Sequence, residues 1–496
     1  MTTFATGAGV RGWLGLSVLC LATLLLSVDN TVLMLALPHL SAALHPSGTE
    51  LLWITDVYGF MIAGFMITMG SLGDRIGRRR LLLIGAVAFA AASVVAAYST
   101  TTTMLIAARA LLGVSGAALG PSALALVAGL FPDARRRAMA IGVFTACFMG
   151  GAAAGPVIGG ILLESFWWGS VFLMGVPIMA LVVAGGLFLL PETETGTGSG
   201  RLDPGSVAMS LAALLPIVYG LKELADDPAQ AAAYVALAVG LAFCAAFVRR
   251  QRRLAEPFLD LRLFRGRSFT VALLILAVAM VVQGGMYLFV SQHLQLVEGL
   301  SPLVAGLWMA VPAVGLVAGS LASPVLAGVL RPGLVVGLGL VVSAAGFAMV
   351  LVGDGLGMLM AGVTVAFLGM APVGALGLGL IVGAAPPERA GSASALAESG
   401  GELGIALGIA LLGSLGAAVY DGTVGSPQAG GSLGEALDAA AALPPGPAEA
   451  LVAEARAAFA QGLLAVMATG AVLVLGLAVV ALTLLRHLRP IGEESR

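Results

Sequence analysis

Long apolar stretches dominate this chain of 496 residues. There are about fourteen of them, each roughly 18 to 28 residues long, and at about 1.5 Å per residue each can cross the roughly 30 Å hydrocarbon core of a bilayer as a helix. Charged residues make up 10% of the chain, against about 25% in an average soluble domain. The sequence pattern lacks the alternating short strands of a membrane β-barrel. It therefore predicts an all-α integral membrane protein with 14 transmembrane helices.

The predicted spans have approximate ends that can differ by several residues. They cover residues 12–37, 51–72, 81–98, 103–130, 139–162, 169–190, 204–221, 230–248, 268–291, 303–327, 333–352, 358–383, 391–420 and 461–486. The apolar core of the first span is too long for a signal peptide, and no small-residue cleavage site follows it. We therefore expect the first span to be retained as a transmembrane helix.

Basic residues concentrate in every second loop. If the N-terminus lies inside, 21 of the 24 basic residues fall in predicted cytoplasmic segments, Lys222 and Arg456 fall outside, and Arg109 falls within a helix. Cytoplasmic loops of membrane proteins are enriched in Lys and Arg. The distribution therefore predicts that both termini are cytoplasmic, in the inner membrane of a bacterium.

Other whole-chain features argue against several classes of function. The formal net charge is −2 and topology explains the arginines, so we expect no nucleic-acid partner. Cys20, Cys147 and Cys244 lie in separate predicted helices without the spacing of metal ligands, so we interpret them as small packing residues. We expect no metal site and no cofactor. The chain also lacks a GxxxxGK[ST] phosphate loop, so no nucleotide is expected to drive it.

The densest charge cluster lies between two apolar spans, in the stretch GSLGDRIGRRRLLLIG at 70–85. Any cytoplasmic loop gathers arginine, but the order of residues here is more specific. Glycines permit close helix approach and a tight turn, and an acid at a helix end can pair with a facing helix or with arginine. We interpret the turn as a breakable latch between conformations. Its residues are Gly70, Gly73, Asp74, Arg75, Gly77, Arg78 and Arg79.

This turn and four further stretches resemble motifs of the major facilitator superfamily. The further stretches are DNTVLMLALP (29–38), RALLGVSGAALGPS (109–122), GGAAAGPVIGG (150–160) and EPFLDLRLFRGRSF (256–269). Their order is similar to that of the fourteen-helix drug:proton antiporter branch, which includes multidrug exporters. The resemblance assigns the antiporter motif to Gly151, Gly155, Pro156, Gly159 and Gly160.

The resemblance implies a domain organisation. Residues 12–190 and 268–486 would each form a six-helix bundle, and 204–248 would form two inserted helices. The segment 191–203 has the Gly, Thr and Ser content of a flexible linker. The segment 421–460 is long for an outer loop, and we interpret it as a solvated extracellular hairpin. We expect the chain to act as a monomer in membrane lipid.

Ionisable residues inside membrane helices are functional candidates, because each costs about 2.5–3.5 kcal/mol at the centre of a helix. Asp29, Arg109 and Asp56 lie about nine, six and five residues from the outer ends of their helices, so their depths agree within about 6 Å. Asp29 and Arg109 can therefore pair. One interpretation is a structural ion pair. The other is proton coupling, since opening one side to water can switch the protonation of an acid beside an arginine.

Glu398 and Glu402 are a second pair, four residues apart on one face of a predicted helix. Two carboxylates this close and this deep cannot both ionise cheaply, so we expect them to share one proton. The alternative is a structural role in which the acids hydrogen-bond to a neighbouring helix. The resemblance favours function, since family members carry acids at matching positions. Nearby glycines allow close packing or a bend.

Aromatic residues surround Asp56. Trp53, Asp56 and Phe60 recur at i, i+3 and i+7, hence on one helix face, and Tyr58 is near. Aromatic faces beside a carboxylate suit a flat lipophilic cation. An interfacial tryptophan anchor is the alternative for Trp53.

These observations predict proton-coupled efflux of amphipathic cationic drugs, antiseptics and dyes by alternating access. Export of a specific metabolite, antibiotic or lipid is the alternative. A sensor would need a soluble output domain and an enzyme a cluster of catalytic residues, and the sequence shows neither. Some related exporters of dications carry an added acid in the tenth helix, whereas PAVGLVAGSLASP (312–324) has none. We therefore expect poor handling of dications.

Overall fold

The structure is a computed structural model that describes residues 10–131, 134–192, 204–226, 230–254, 262–384 and 390–485. The predicted linker, apart from its first two residues, and the first part of the motif at 256–269 lie outside these residues.

The described residues form sixteen α-helices. They are α1 (Val10–Leu44), α2 (Gly48–Ile76), α3 (Arg78–Ala97), α4 (Thr102–Leu130), α5 (Ala134–Ser165), α6 (Ser170–Leu173), α7 (Gly175–Leu189), α8 (Pro204–Asp226), α9 (Ala231–Gln251), α10 (Arg267–Gln292), α11 (Pro302–Ala327), α12 (Pro332–Val352), α13 (Gly355–Gly383), α14 (Ala390–Thr423), α15 (Leu433–Ala441) and α16 (Pro445–Leu484). A π-helical turn, His293–Val297, follows α10.

Helices occur at all fourteen predicted spans. Among the described residues, twelve helical segments are long and apolar enough to cross a membrane, with α6 and α7 counted as one. The helices α2 and α8 are not among these twelve, so the count of fourteen stays a prediction. The break between α6 and α7 has a local cause, because Pro177 has no amide hydrogen to donate to Leu173.

Two groups of helices can be distinguished by their packing. In the first helix group, α1–α7, α1 packs on α5, and α2 and α3 pack on α4. In the second helix group, α10–α14 with α16, α10 packs on α14, α11 and α12 pack on α13, and α16 packs on α12. The predicted division into bundles at 12–190 and 268–486 agrees with this packing but remains our interpretation.

The helices α8 and α9 form a pair beside these groups. Helix α8 contacts α2 and α14, one from each group, whereas α9 packs chiefly against α8. Large side chains of α9 are accordingly exposed, including Tyr234, Val235 and Leu241. The pair therefore lies along one side of the seam between the two groups.

The two ends of the molecule differ in how tightly the groups meet. We call the end where α1 begins the proximal face and the opposite end the distal face. Near the distal face, Ser291 Oγ donates a hydrogen bond to Met34 O (3.1 Å) and Gln295 Nε2 donates one to Leu35 O (3.0 Å). Nearer the proximal face, Met139 of α5 is 54% exposed and Leu321 of α11 is 72% exposed. The groups are therefore joined at the distal face.

The segment 421–460 is more ordered than the solvated hairpin that the sequence predicts. It contains α15, which buries Leu433, Ala436 and Ala440. The Glu454 carboxylate accepts hydrogen bonds from the Gly425 and Ser426 amides and from Ser426 Oγ. Helix α16 starts 16 residues before the predicted span 461–486. Charged residues in its first turns lower the hydropathy of the sequence there without ending the helix. Its 40 residues are about 60 Å long, so it projects beyond a bilayer.

Candidate functional site

The structure brings Asp29 and Arg109 together. Arg109 Nη1 lies 2.9 Å from Asp29 Oδ2, and the two side chains are 1% and 5% exposed. Asp29 comes from α1 and Arg109 from α4, so the pair connects two helices of the first group. A charge-assisted hydrogen bond of this length is among the stronger polar contacts in proteins. It also allows both charges to persist in an apolar interior.

Helix α2 holds Arg109 independently of Asp29. Arg109 Nε donates a hydrogen bond to Ile54 O (3.2 Å), and the guanidinium lies 4.3 Å from the centre of the Tyr58 ring. Ile54 and Tyr58 are one helical turn apart, so a single face of α2 supplies both contacts. The sequence pattern placed Tyr58 in a substrate site and did not reveal this stacking. The four-residue spacing between Ile54 and Tyr58 was the signal that both lie on one face of the helix.

The aromatic residues of α2 point to two sides. Tyr58 faces Arg109, whereas Phe60 packs with Val218 of α8 and with Ala406 and Ala410 of α14. Trp53 packs beside this cluster, and its ring lies 6.4 Å from the Phe60 ring, edge to face. The predicted substrate residues Trp53, Asp56, Tyr58 and Phe60 are thus divided between two surroundings. Their role in binding stays a prediction.

Asp56 is fully buried in α2. Thr55 Oγ1 lies 3.3 Å from Asp56 Oδ1 and also donates a hydrogen bond to Leu52 O (2.8 Å). Gly59, three residues further along, approaches Ala406 of α14 closely enough that an added Cβ would lie 3.0 Å from the Ala406 Cβ. The turn of α2 that follows Asp56 therefore packs against the second helix group.

Glu398 and Glu402 lie one turn apart on α14, and both are half-buried. They interact electrostatically with each other, and Glu402 also interacts with Tyr58. The neighbouring glycines serve a different contact: an added Cβ at Gly404 would lie 2.6 Å from Ala277 O, and one at Gly408 would collide with Val281 O, both on α10. The acids therefore lie on the side of α14 that faces the seam, with Glu402 nearer to Tyr58 in its electrostatic interaction.

The charged turn connects α2 directly to α3. Gly77 has φ +97°, a backbone region that favours glycine, and Gly73 gives space to the Arg78 side chain, which an added Cβ would meet at 2.9 Å. Among the described residues, no atom lies within 4 Å of an added Cβ at Gly70. The part of Gly70 in close helix approach stays a prediction.

Arg79 ties this turn to the end of α7. Its Nε donates a hydrogen bond to Gly186 O (3.0 Å), its Nη2 donates one to Leu187 O (2.5 Å), and its Nη1 lies 3.3 Å from Glu192 Oε1. The last carbonyls of a helix lack partners within it, so an arginine is well suited to them. Asp74 and the half-buried Arg75 lie in the last turn of α2. The role of the turn as a latch stays a prediction.

We expect Gly77→Val to slow transport of every substrate alike, because a side chain at positive φ costs about 1–2 kcal/mol, or roughly tenfold in a rate-limiting conformational step. Initial rates for two unlike substrates measure this. Gly355→Val is the matched control and should transport at the wild-type rate, since Gly355 also has a positive φ (+80°) but begins α13 at the opposite face from the turn. Altered selectivity at unchanged rates in Gly77→Val would contradict the latch.

Comparison with known sequences identifies the family. Residues 19–409 match the sequence profile described as the Major Facilitator Superfamily. The chain belongs to the major facilitator superfamily. It is therefore a multi-pass membrane transporter and not an enzyme, and the predicted all-α membrane fold is confirmed.

Relatives within the major facilitator superfamily include several exporters. The chain is 42% identical to the multidrug efflux pump LfrA of Mycolicibacterium smegmatis, over 97% of each chain. It is 38% identical to the methyl viologen resistance protein SmvA of Salmonella typhimurium, covering 90% of this chain and 93% of SmvA. A Streptomyces glaucescens tetracenomycin C resistance and export protein is 31% identical, covering 83% of this chain and 77% of that protein.

Solved structures of major facilitator transporters share the fold. A bacterial homologue of the human lysosomal transporter Spinster, in an inward-facing and unoccupied conformation, has a TM-score of 0.66 at 18% identity and covers 96% of this chain and 98% of its own. The peptide transporter POT in complex with sulfate has a TM-score of 0.60 at 16% identity, covering 99% of this chain and 97% of its own.

The α5 motif of this major facilitator protein makes two kinds of close contact. Gly151, Gly155 and Gly159 face α1, where an added Cβ would meet Leu24, Thr31 and Val32 in turn. Gly160 faces α11 instead, and its added Cβ would lie 2.5 Å from Leu303 Cα. Pro156 O contacts Gly306 of α11. The motif therefore packs α5 on the helix that carries Asp29 and closes the distal part of the seam.

Proposed function

We propose that this protein exports amphipathic cationic drugs, antiseptics and dyes across the bacterial cytoplasmic membrane in exchange for protons. The observation that carries the proposal is the buried Asp29–Arg109 pair, in which the Arg109 guanidinium lies 4.3 Å from the centre of the Tyr58 ring. The 42% identity to a multidrug efflux pump over 97% of the chain supports it. The proposed surroundings are protons, membrane lipid and lipophilic cations.

Asp29 is the proposed proton carrier of the first helix group. A proton on its carboxylate removes the charge that Arg109 pairs with, yet Arg109 keeps the Ile54 carbonyl and the Tyr58 ring. The arginine can therefore stay in place while the aspartate changes partner. A site that titrates without collapsing is what repeated proton exchange requires.

Glu398 and Glu402 are the proposed site at which the proton and the cation compete for binding. They are half-buried at the seam, so water and substrate can reach them more easily than the nearly inaccessible Asp29. A lipophilic cation beside one carboxylate and a proton on the other compete for the same negative charge. Proton arrival at the pair therefore favours cation release, which couples the two fluxes.

The contacts that join the two helix groups at the distal face support alternating access as the proposed transport cycle. The distal seam is closed by Gly160 against α11 and by the hydrogen bonds of Ser291 and Gln295 to α1. Export requires these contacts to part, and the charged turn with Arg79 lies at the opposite face, where it can latch the reverse state. In the proposed orientation both termini and the turn are cytoplasmic, and the protein acts as a monomer.

Dye export from proteoliposomes tests this function directly. Purified protein should move ethidium against its gradient when an inwardly directed proton gradient is imposed, and a protonophore should stop the flux. The Asp354→Asn variant is the matched control, because that acid is exposed in the loop between α12 and α13. Ethidium movement that ignores the proton gradient would overturn the proposal.

We expect methyl viologen, a dication, to be exported at a rate well below that of ethidium. The physical reason is that α11 carries no acidic residue, so a second positive charge in the central space lacks a second carboxylate there. Competition measures this: methyl viologen should inhibit ethidium export only weakly. SmvA is named for methyl viologen resistance. Equal export of both compounds would show that an added acid in α11 is not needed for export of a dication.

A further inference from the structure

A cavity of about 250 Å³ lies near the distal face, between the two helix groups and beneath α15. Leu37 and Ser41 of α1 line it on one side, Phe289 of α10 and Tyr420 of α14 on the other, and Leu437 of α15 from above. Its lining on α14 begins at Gly413, which lies 11 residues, or about 16 Å, nearer the distal face than Glu402, so a molecule in the cavity has already passed the central acids. We call it the distal cavity.

The walls of the distal cavity combine aromatic surface with negative charge. The Phe289 and Phe459 rings stack with centroids 5.2 Å apart, and both line the cavity. Asp421 and Asp438 also line it, and neither Lys nor Arg occurs among its described lining residues. His45 Nδ1 lies 3.8 Å from Asp438 Oδ2. Aromatic faces and carboxylates together attract cations with an apolar body.

Ser414 gives the cavity a polar contact point that the fold does not use. Ser414 lines the cavity, the residue is only 7% exposed, and its Oγ has no hydrogen-bond partner among the described residues. Serines within helices usually bond to the carbonyl one turn earlier, as Ser323 does with Gly319. A buried hydroxyl without a partner is costly unless something else satisfies it. A ligand in the cavity can therefore supply the partner that this hydroxyl lacks.

We propose that the distal cavity is a second binding site, which holds a flat lipophilic cation after it leaves the central acids and before it escapes at the distal face. The inference rests on the proposed export function. The cavity volume is close to the lower end for sites of drug-sized ligands, which suits one aromatic ring system. The ring stacks on Phe289 and Phe459, its positive charge faces Asp421 and Asp438, and Ser414 supplies a hydrogen bond.

Protection of an introduced cysteine tests the site. Ser41→Cys places a thiol in the cavity wall, and Thr100→Cys places one on the exposed α3–α4 loop of the same face. A membrane-impermeant maleimide is applied to intact cells with and without ethidium, and the unsubstituted protein gives the background from its native cysteines. We expect ethidium to slow labelling of Ser41→Cys at least threefold and to leave Thr100→Cys unchanged.

Two further substitutions in the Ser41→Cys protein test whether the protection arises from ethidium bound in the distal cavity and not elsewhere in the transporter. Leu437→Arg fills the cavity with a cation and should remove protection. Ser414→Ala breaks no hydrogen bond of the fold and should raise the ethidium concentration for half-protection several-fold. Cells that export ethidium but show no protection, or protection that survives Leu437→Arg, overturn the site and leave the export function intact. Absence of ethidium export overturns both.

Discussion

The Asp29→Asn variant should lose all export driven by a pH gradient, down to the level of protein-free vesicles. Asparagine keeps the size and the hydrogen-bonding oxygen that Arg109 Nη1 contacts at 2.9 Å, but it cannot carry a proton between the two sides. Exchange of labelled for unlabelled ethidium needs no net proton movement and should persist. The measurement is ethidium flux in proteoliposomes, once with an imposed pH gradient and once as exchange at equal pH.

A second variant distinguishes a loss of proton coupling from a loss of folding. Breaking a buried ion pair by removing one partner costs about 3–5 kcal/mol, because the other charge stays buried alone. The double variant Asp29→Asn with Arg109→Gln leaves no such charge and should fold at wild-type yield, again without response to the pH gradient. Normal gradient-driven export by either variant would remove Asp29 from proton coupling and leave the pair a structural role.

The single variants Glu398→Gln and Glu402→Gln should each move the pH profile of export toward acid, by roughly one unit if the acids share a proton. One carboxyl without a like-charged neighbour needs more external protons to release its cation. Glu402→Gln should also reduce the rate more, because Glu402 is the acid that interacts with Tyr58. The measurement is the initial rate of dye export against external pH at matched expression.

The exposed acid Glu449 of α16 offers a control for this series. It lies in the first turns of α16 near the distal face, whereas Glu398 and Glu402 lie in the first half of α14, so Glu449→Gln should leave both the rate and the profile unchanged. If the two α14 variants keep wild-type profiles and differ only in stability, the acids are structural, and coupling falls to Asp29 or Asp56.

Features that depend on depth and spacing could be predicted from the sequence. Counting residues from helix ends gave Asp29 and Arg109 similar depths, and the pair forms. The four-residue spacing of Glu398 and Glu402 likewise placed them on one face of a helix that does form. These predictions hold because helical rise and period are nearly constant, whatever the tertiary structure.

Features that depend on how helices rotate against one another could not be predicted. The i, i+3, i+7 pattern grouped Phe60 with Trp53 correctly, but nothing local shows that α8 and α14 cover Phe60. The distal cavity is a stronger example. Ser41, Ser414 and Leu437 lie on three separate helices, α1, α14 and α15, and they line one cavity only because α15 packs over the other two helices. Gly70 shows the same limit, because a glycine indicates where close helix approach is permitted and not where it occurs.

The pair α8 and α9 makes the two flanks of the transporter unequal toward lipid. Along one flank, α8 bridges α2 and α14, so the acyl chains of the bilayer meet α8 and α9 instead of the seam. Along the other flank, α5 and α11 pack directly on each other near the distal face, while Met139 and Leu321 stay exposed nearer the proximal face. Under the proposed function, a lipophilic cation in the bilayer would therefore meet two helices, α8 and α9, on one flank and the line of contact between α5 and α11 on the other. In the proposed orientation, the exposed part of that line lies in the inner leaflet, so a lipophilic substrate that enters from the bilayer would enter from this flank.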